Sequence, residues 1–329
     1  MAILGTRGAL VDFTWVDTTP PEGTDLLSLS DEDLDRYSLP RRYDPDRTPR
    51  AHANWVRALS APLGSITTGR LSMRALVPPV AGHLGRIAAT TVASHNWSGC
   101  VVRRAGTERI VSVQGTWTVP AVLAGRVPGP VVGEWKSSIW VGLDGYLPAS
   151  RSMPQIGTEQ RLLADGTTTY STWLWWWGLG QPLSLPPPMP VAVNHDDRVY
   201  AQVQEQGVTQ ANLFLKNLRT GGKMSFTLTS SDFGARAYEV EGRTAEWVVE
   251  APTDPISRRI FTLPNYEYAE FTDCNCVSSD GGVTSERTPD TGAGIRMVDW
   301  DHPLHPGKSI SVPEGTGNPD AVQTRYTGP

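Results

Sequence analysis

From about residue 96 onward the apolar positions come in short runs of Val, Ile, Thr, Tyr and Trp, bounded by Gly, Pro, Asn and Asp. That rhythm belongs to antiparallel strands and not to amphipathic helices. The pattern predicts strands over 100–104, 109–119, 137–143, 168–177, 198–206, 211–217, 223–230, 245–250, 268–272, 295–300 and 309–312. Ala164-Asp165-Gly166-Thr167 and Arg219-Thr220-Gly221-Gly222 sit between paired runs and supply the turn residues that tight hairpins need. No apolar stretch keeps a helical period long enough to cross between parallel strands, which disfavours parallel α/β folds. The expected class is all-β, a sandwich of two packed antiparallel sheets.

The first 91 residues read differently. They are rich in Pro, Arg, Asp and Ser, and Pro20-Pro21, Pro40 and Pro78-Pro79 interrupt regular structure. Ser30-Asp31-Glu32-Asp33 before Leu34 has the form of a helix start, and a short helix is expected near 53–59. The chain therefore divides into an irregular extension, 1–91, and a sandwich, 92–329. Met1 to Trp15 is broken by Gly5, Gly8, Asp12 and Thr14 and lacks the apolar run of an export signal, so the compartment stays open. No stretch reaches the roughly 18 apolar residues of a membrane span, and no membrane partner is expected.

Hydrophobic residues at 39% and charged residues at 19% suffice for a core. A net charge of -5, without a Lys/Arg cluster, argues against nucleic acid. Cys100, Cys274 and Cys276 imply no disulfide framework, and the Cys-Asn-Cys pair has no companion ligands for zinc. His195-Asp196-Asp197 and Asp299, Asp301, His302 read as turn residues without a ligand set. No metal or cofactor is called for, and a monomer is expected. The 12 tryptophans stand out, because indole serves both a core and a cleft that grips a polymer.

In Trp173-Leu174-Trp175-Trp176-Trp177 the strand period puts Trp173, Trp175 and Trp177 on one face and Trp176 on the other. One face packs inward, so the other is expected to expose rings as a binding surface. Trp140 and Gly142 share a face on their strand, which Asp144 closes; Gln155, Gly157 and Glu159 share one on theirs; Glu246, Val248 and Glu250 share one on a third. Each set alone reads as ordinary structure. No Gly-x-Ser-x-Gly elbow or catalytic Cys context appears.

The motifs in order are Asn96-Trp97-Ser98-Gly99, Gly115 to Pro120, Trp140 to Gly145, Gln155-Ile156-Gly157, Tyr170 to Trp177, Asn217 to Gly221 and Thr244 to Glu250. Together they resemble the eqolisin glutamic peptidases over about two thirds of the chain. The resemblance implies a concanavalin-like sandwich of two bent sheets, a polypeptide substrate in a groove on the concave face, and a catalytic pair falling on Gln155 and Glu246. It implies that Trp140, Trp173 and Trp175 line the groove while Asp144 and Glu159 steady its polar groups, and that the enzyme works in acid. Relatives of this family are usually exported, and the 28–42 segment resembles leader regions of bacterial members, which suggests a pro-segment or groove-covering arm. The chain departs from the pattern at Trp175, where an acidic residue is expected, at Gly178 in place of proline, and at Glu159 in place of Asp. The competing reading is a non-catalytic sandwich binding peptide or carbohydrate in a Trp-lined groove. A glycosidase would need two suitably spaced carboxylates, whereas the motif supplies one carboxylate and one amide.

Overall fold

Alternating residues along the strands face two different partners, and this fixes the architecture. In the computed structural model, which describes residues 11–60, 65–75, 91–125, 130, 133–179, 186–233, 238–299 and 307–328, seventeen strands belong to one hydrogen-bonded ladder folded into two layers. Expectations at Pro78-Pro79, Trp300, Asp301 and His302 fall outside these residues. The first layer runs β8 (Thr168–Gly178), β7 (Ser152–Leu163), β6 (Glu134–Leu143), β12 (Thr244–Glu250), β4 (Trp97–Arg103), β15 (Ala293–Asp299). β3 (Thr91–Ser94) pairs with β15, and β16 (Lys308–Glu314) leads from β15 to β17 (Val322–Tyr326) and the second layer. That layer runs β13 (Tyr268–Asp280), β5 (Arg109–Thr118), β9 (Arg198–Gly207), β10 (Gln210–Asn217) and β11 (Lys223–Thr229), with β14 (Val283–Arg287) as a hairpin partner of β13.

Ile139, Val141, Leu143, Ile156, Leu174, Trp176 and Trp247 point from the first layer into the core, against Val113, Trp117, Val203 and Leu213 of the second. Two indoles bridge the layers. Trp117 Nε1 donates to Thr158 Oγ1 (3.1 Å), and Trp247 Nε1 donates to the Gln114 carbonyl (2.9 Å). Buried Trp N–H groups need such partners. These contacts assign Thr158 and Trp247 to the core side, so Gln155 and Glu246, of opposite parity, face away from it.

The extension is more regular than its proline content suggests. β1 (Val11–Asp17) and β2 (Ile66–Ala75) form a hairpin that joins the second layer, with β2 parallel to β11. That pairing and β3 with β15 are the parallel exceptions in a sheet otherwise antiparallel as expected. Between the hairpin strands, α1 (Asp31–Arg36) starts at Ser30, whose hydroxyl accepts from Asp33 N–H, and α2 (Pro49–Leu59) turns Ala51, Trp55, Ala58 and Leu59 inward at helical spacing. They pack with Leu26, Leu34, Leu39 and Tyr43 onto Tyr200, Phe214 and Val277 on the outer face of the second layer. Side chain to backbone bonds dock them there: Asn212 Nδ2 to Ser38 O (2.7 Å), Arg41 N–H to Gln204 Oε1 (2.7 Å), and Lys216 Nζ to the Arg57 and Ser60 carbonyls (3.0 Å each). This docked segment, which includes most of 28–42, lies on the far side of the sandwich from Gln155 and Glu246. It covers the back and not the groove.

Candidate active site

The strand register brings the two candidate catalytic residues onto one line. Gly142 on β6 is opposite Gln155 on β7 and, on its other side, opposite Glu246 on β12. The line continues to Trp175 on β8 and Val101 on β4. Residues directly opposite in antiparallel strands share a face, so Gln155 and Glu246 lie two strand spacings apart, roughly 10 Å between Cα atoms, over a residue with no side chain. A Cβ on Gly142 would sit 3.2 Å from Gln155 Cβ and 2.9 Å from Trp140 Cζ3. The bare glycine leaves room for the edge of the Trp140 ring between the two strands.

The neighbouring line holds Gly99, Val248, Trp140, Gly157 and Trp173. The Trp140 ring reaches over Gly142, and a Cβ on Gly157 would be 2.6 Å from Trp140 Cβ and would run into the Ile139 carbonyl. The aromatic face is closed and not exposed as the sequence led us to expect: Trp140 is buried, and Trp173 and Trp175 are 4% and 5% exposed.

Glu246 is fully buried and Gln155 is 7% exposed. Neither Glu246 oxygen, nor Gln155 Oε1, Thr244 Oγ1 or the Tyr146 hydroxyl, completes a hydrogen bond. Buried polar atoms are nearly always paired, and these five oxygens are among the exceptions. Burial pushes the Glu246 carboxyl well above the ordinary carboxylate range; the Thr244 hydroxyl and Tyr146 N–H approach it without completing good hydrogen-bond geometry and pull it back, and the charge of Asp144 adds to the rise.

Asp144 closes β6 in a left-handed conformation, φ 65°. Its carboxylate accepts from three backbone amides, Glu241 (2.7 Å), Gly242 (3.0 Å) and Arg243 (2.7 Å), and its own N–H donates to the Thr244 carbonyl (2.9 Å). It clamps the entry of β12 two residues before Glu246. Burial nevertheless raises its carboxyl above the ordinary range against those three bonds. Glu159 lies two lines from Gln155, in a network in which buried Lys136 Nζ is 3.3 Å from Glu159 and 3.6 Å from Glu134, and Arg161 meets both acids. Trp175 thus lies on the line of the pair, Trp140 and Trp173 on the next, Glu159 two lines from Gln155 and Asp144 at the end of β6.

Three groups escaped the sequence reading. Glu250, on the same face as Glu246, accepts from Trp140 Nε1 (2.8 Å) and Asn96 Nδ2 (3.1 Å), and Trp97 stacks edge-on to Trp140 at 5.0 Å. Burial pushes its carboxyl up to about 7 against those bonds. The parity of β12 displayed Glu250, but nothing local revealed its partner. Thr244 has the same parity, and Tyr146 sits in a turn whose direction only the fold defines. Cys100, Cys274 and Cys276 are buried free thiols. Among the described residues no group of three His, Cys, Asp or Glu is gathered for a metal, and no helix is long and apolar enough to cross a membrane.

The sequence profile of the Peptidase A4 family matches residues 95–300, a span that includes both members of the pair and every strand on which the site is built. The chain belongs to the Peptidase A4 family. By that membership it is a glutamic peptidase, a hydrolase of peptide bonds. Among solved structures it resembles scytalido-glutamic peptidase, crystallised with a transition state analog inhibitor, at 19% identity and a TM-score of 0.54, over 71% of this chain and 98% of that one. It also resembles SCP-B, a member of the eqolisin family in complex with the tripeptide Ala-Ile-His, at 17% identity and a TM-score of 0.52, with the same coverage. At these identities the likeness speaks for the fold, a β-sandwich as expected. A search of curated protein sequences finds no match.

Proposed function

We propose that this glutamic peptidase cleaves internal peptide bonds with Glu246 and Gln155 as its reactive pair. The observation that carries the reading is their register on either side of Gly142, facing one space from which the core is excluded. Glu246 takes a proton from a water whose oxygen attacks the peptide carbonyl carbon; the C–N bond of the resulting tetrahedral species then breaks as Glu246 returns the proton to the amine. Gln155 orients the water through its carbonyl oxygen and donates N–H to the developing oxyanion, where a fixed dipole is worth most. Trp140, Trp173 and Trp175 hold the substrate chain. Because the pair is buried, substrate reaches it only where the indole layer parts.

A base must be ionised to work, so the rate rises with pH through the Glu246 titration. Burial holds that titration above the ordinary carboxylate range, which moves the acid limb of the profile upward. The test is digestion of an unfolded protein from about pH 2 to about pH 8 by wild type, Glu246→Gln and Gln155→Ala. Wild type is expected to cleave, Glu246→Gln to lose at least about a thousandfold in kcat, and Gln155→Ala about a hundredfold or more. Equal cleavage by wild type and Glu246→Gln would sink the reading. Absence of cleavage with retained binding of the polypeptide would favour a sandwich that binds without hydrolysing.

A further inference from the structure

Tyr146 is 3% exposed, two residues beyond the clamp residue Asp144, and its buried hydroxyl completes no hydrogen bond. Its place is fixed from several directions. The turn Asp144-Gly145 has positive φ at both residues, 65° and 92°, and is bolted to the loop entering β12 by the three amides that Asp144 accepts. The Arg103 guanidinium lies over the ring, 5.3 Å from its centroid. Arg103 is opposite Thr244 across the β4–β12 pair, which puts Tyr146 beside the end of β12 that carries Glu246.

The chemistry of the five oxygens is unbalanced without it. Both Glu246 oxygens, once ionised, and Gln155 Oε1 are acceptors; only the Thr244 and Tyr146 hydroxyls can donate. Hydrolysis of an amide builds negative charge on the carbonyl oxygen, and that charge needs donors. A phenol is the stronger donor of the two, and it is held out of water where a hydrogen bond to an anion counts most. Burial raises the Tyr146 phenol above its usual value against the hydrogen-bonding approach and charge of the Arg103 guanidinium, and the nearby Glu246 charge adds to the rise. It therefore stays protonated wherever the enzyme works.

Building on the Gln155–Glu246 reading, we propose that Tyr146 is a further catalytic residue, whose hydroxyl donates to the substrate oxyanion opposite the Gln155 N–H, with Arg103 holding the ring in place. No proton is transferred from Tyr146; the hydrogen bond strengthens as the tetrahedral species forms and relaxes when it collapses. The residue to change is the single oxygen. Tyr146→Phe keeps the ring, its packing and the Arg103 guanidinium over its face.

The experiment compares full-length wild type, Tyr146→Phe and Glu246→Gln on one fluorogenic peptide, with kcat, KM and the pH profile of each, and thermal melting as a control. Tyr146→Phe is expected to lose about tenfold to a thousandfold in kcat, with KM within about twofold, an unmoved acid limb and an unchanged melting temperature. Wild-type kcat in Tyr146→Phe beside a dead Glu246→Gln overturns the proposal and leaves the pair standing. An acid limb that moves while the plateau rate holds also overturns it, because the hydroxyl would then act on Glu246 and not on the substrate. Wild type that cleaves nothing, or Glu246→Gln that cleaves normally, overturns the pair and Tyr146 with it.

Discussion

Gly142 and Gly157 are both flat positions on the site face, yet a methyl group would do different things at each. At Gly142 it meets the far edge of the Trp140 ring and the Cβ of Gln155, neighbours that can give by a few tenths of an ångström. Gly142→Ala is therefore expected to cost under about 1 kcal/mol of stability while lowering kcat at least tenfold, since it displaces the Gln155 carboxamide relative to Glu246. At Gly157 the methyl meets backbone, the Ile139 carbonyl and the Trp140 Cα and Cβ, which cannot yield without spreading β6 from β7. Gly157→Ala is expected to destabilise by about 1–3 kcal/mol. Chemical denaturation and steady-state kinetics on the same preparations separate the two cases; a Gly142→Ala enzyme with wild-type kcat would remove the shared space from the mechanism.

Strands and turns were legible in the sequence to the degree that they follow local rules. The period of two placed Trp140, Gln155, Glu159, Trp173, Trp175 and Glu246 on their faces, and the register brings those faces to one side of one sheet. β13 runs on past its expected end through Cys274 and Cys276 to Asp280, because pairing with β5 carries its polar stretch. The position of the 18–60 segment was illegible for a different reason: Ser38, Arg41 and Ser60 bond to Asn212, Ser225, Gln204 and Lys216, more than 150 residues away, and no local pattern encodes such partners. Two element-scale predictions follow from these contacts. Asp144→Ala leaves three amides of the 241–243 turn unpaired, at about 1–3 kcal/mol each where buried, so it is expected to lower both stability and kcat by loosening the entry to β12. Trp55, buried between the helical segment and the sheet with its Nε1 bonded to the Pro40 carbonyl at 2.9 Å, anchors a layer remote from Glu246. Trp55→Ala is expected to cost about 3–5 kcal/mol and to speed amide exchange across 31–60 while kcat at permissive temperature stays within about twofold. A collapse of kcat in that variant, with the fold intact, would show that the back layer does reach the site.

For the whole molecule, the carboxyls divide into two groups with opposite effects on stability. Glu246, Glu250 and Asp144 are raised by burial: each binds its proton more tightly when folded, so its contribution is complete below the unfolded-state value and is lost as pH climbs through the folded one, for Glu250 through about 7. Asp197 and Asp254 are lowered, by hydrogen bonds from Arg219 and Asn194 and from Ser257 that outweigh their desolvation; their contribution is present above the unfolded-state value and is lost as pH falls through the folded one. Stability is therefore expected to be greatest near the ordinary carboxylate range and to fall from there towards about 7 as the raised carboxyls ionise. For Glu250 alone, a rise from 4.5 to about 7 corresponds to about 3 kcal/mol of stability lost on passing to alkaline pH. Denaturant unfolding of wild type and Glu250→Gln at pH 5 and pH 8 measures it. Wild type should be the less stable at pH 8 by at least that amount, and Glu250→Gln, whose amide carries no charge to desolvate, should lose distinctly less. Should both proteins weaken equally, the loss comes from other groups, and the hold of Glu250 on Trp140 and Asn96 is not sensitive to its charge.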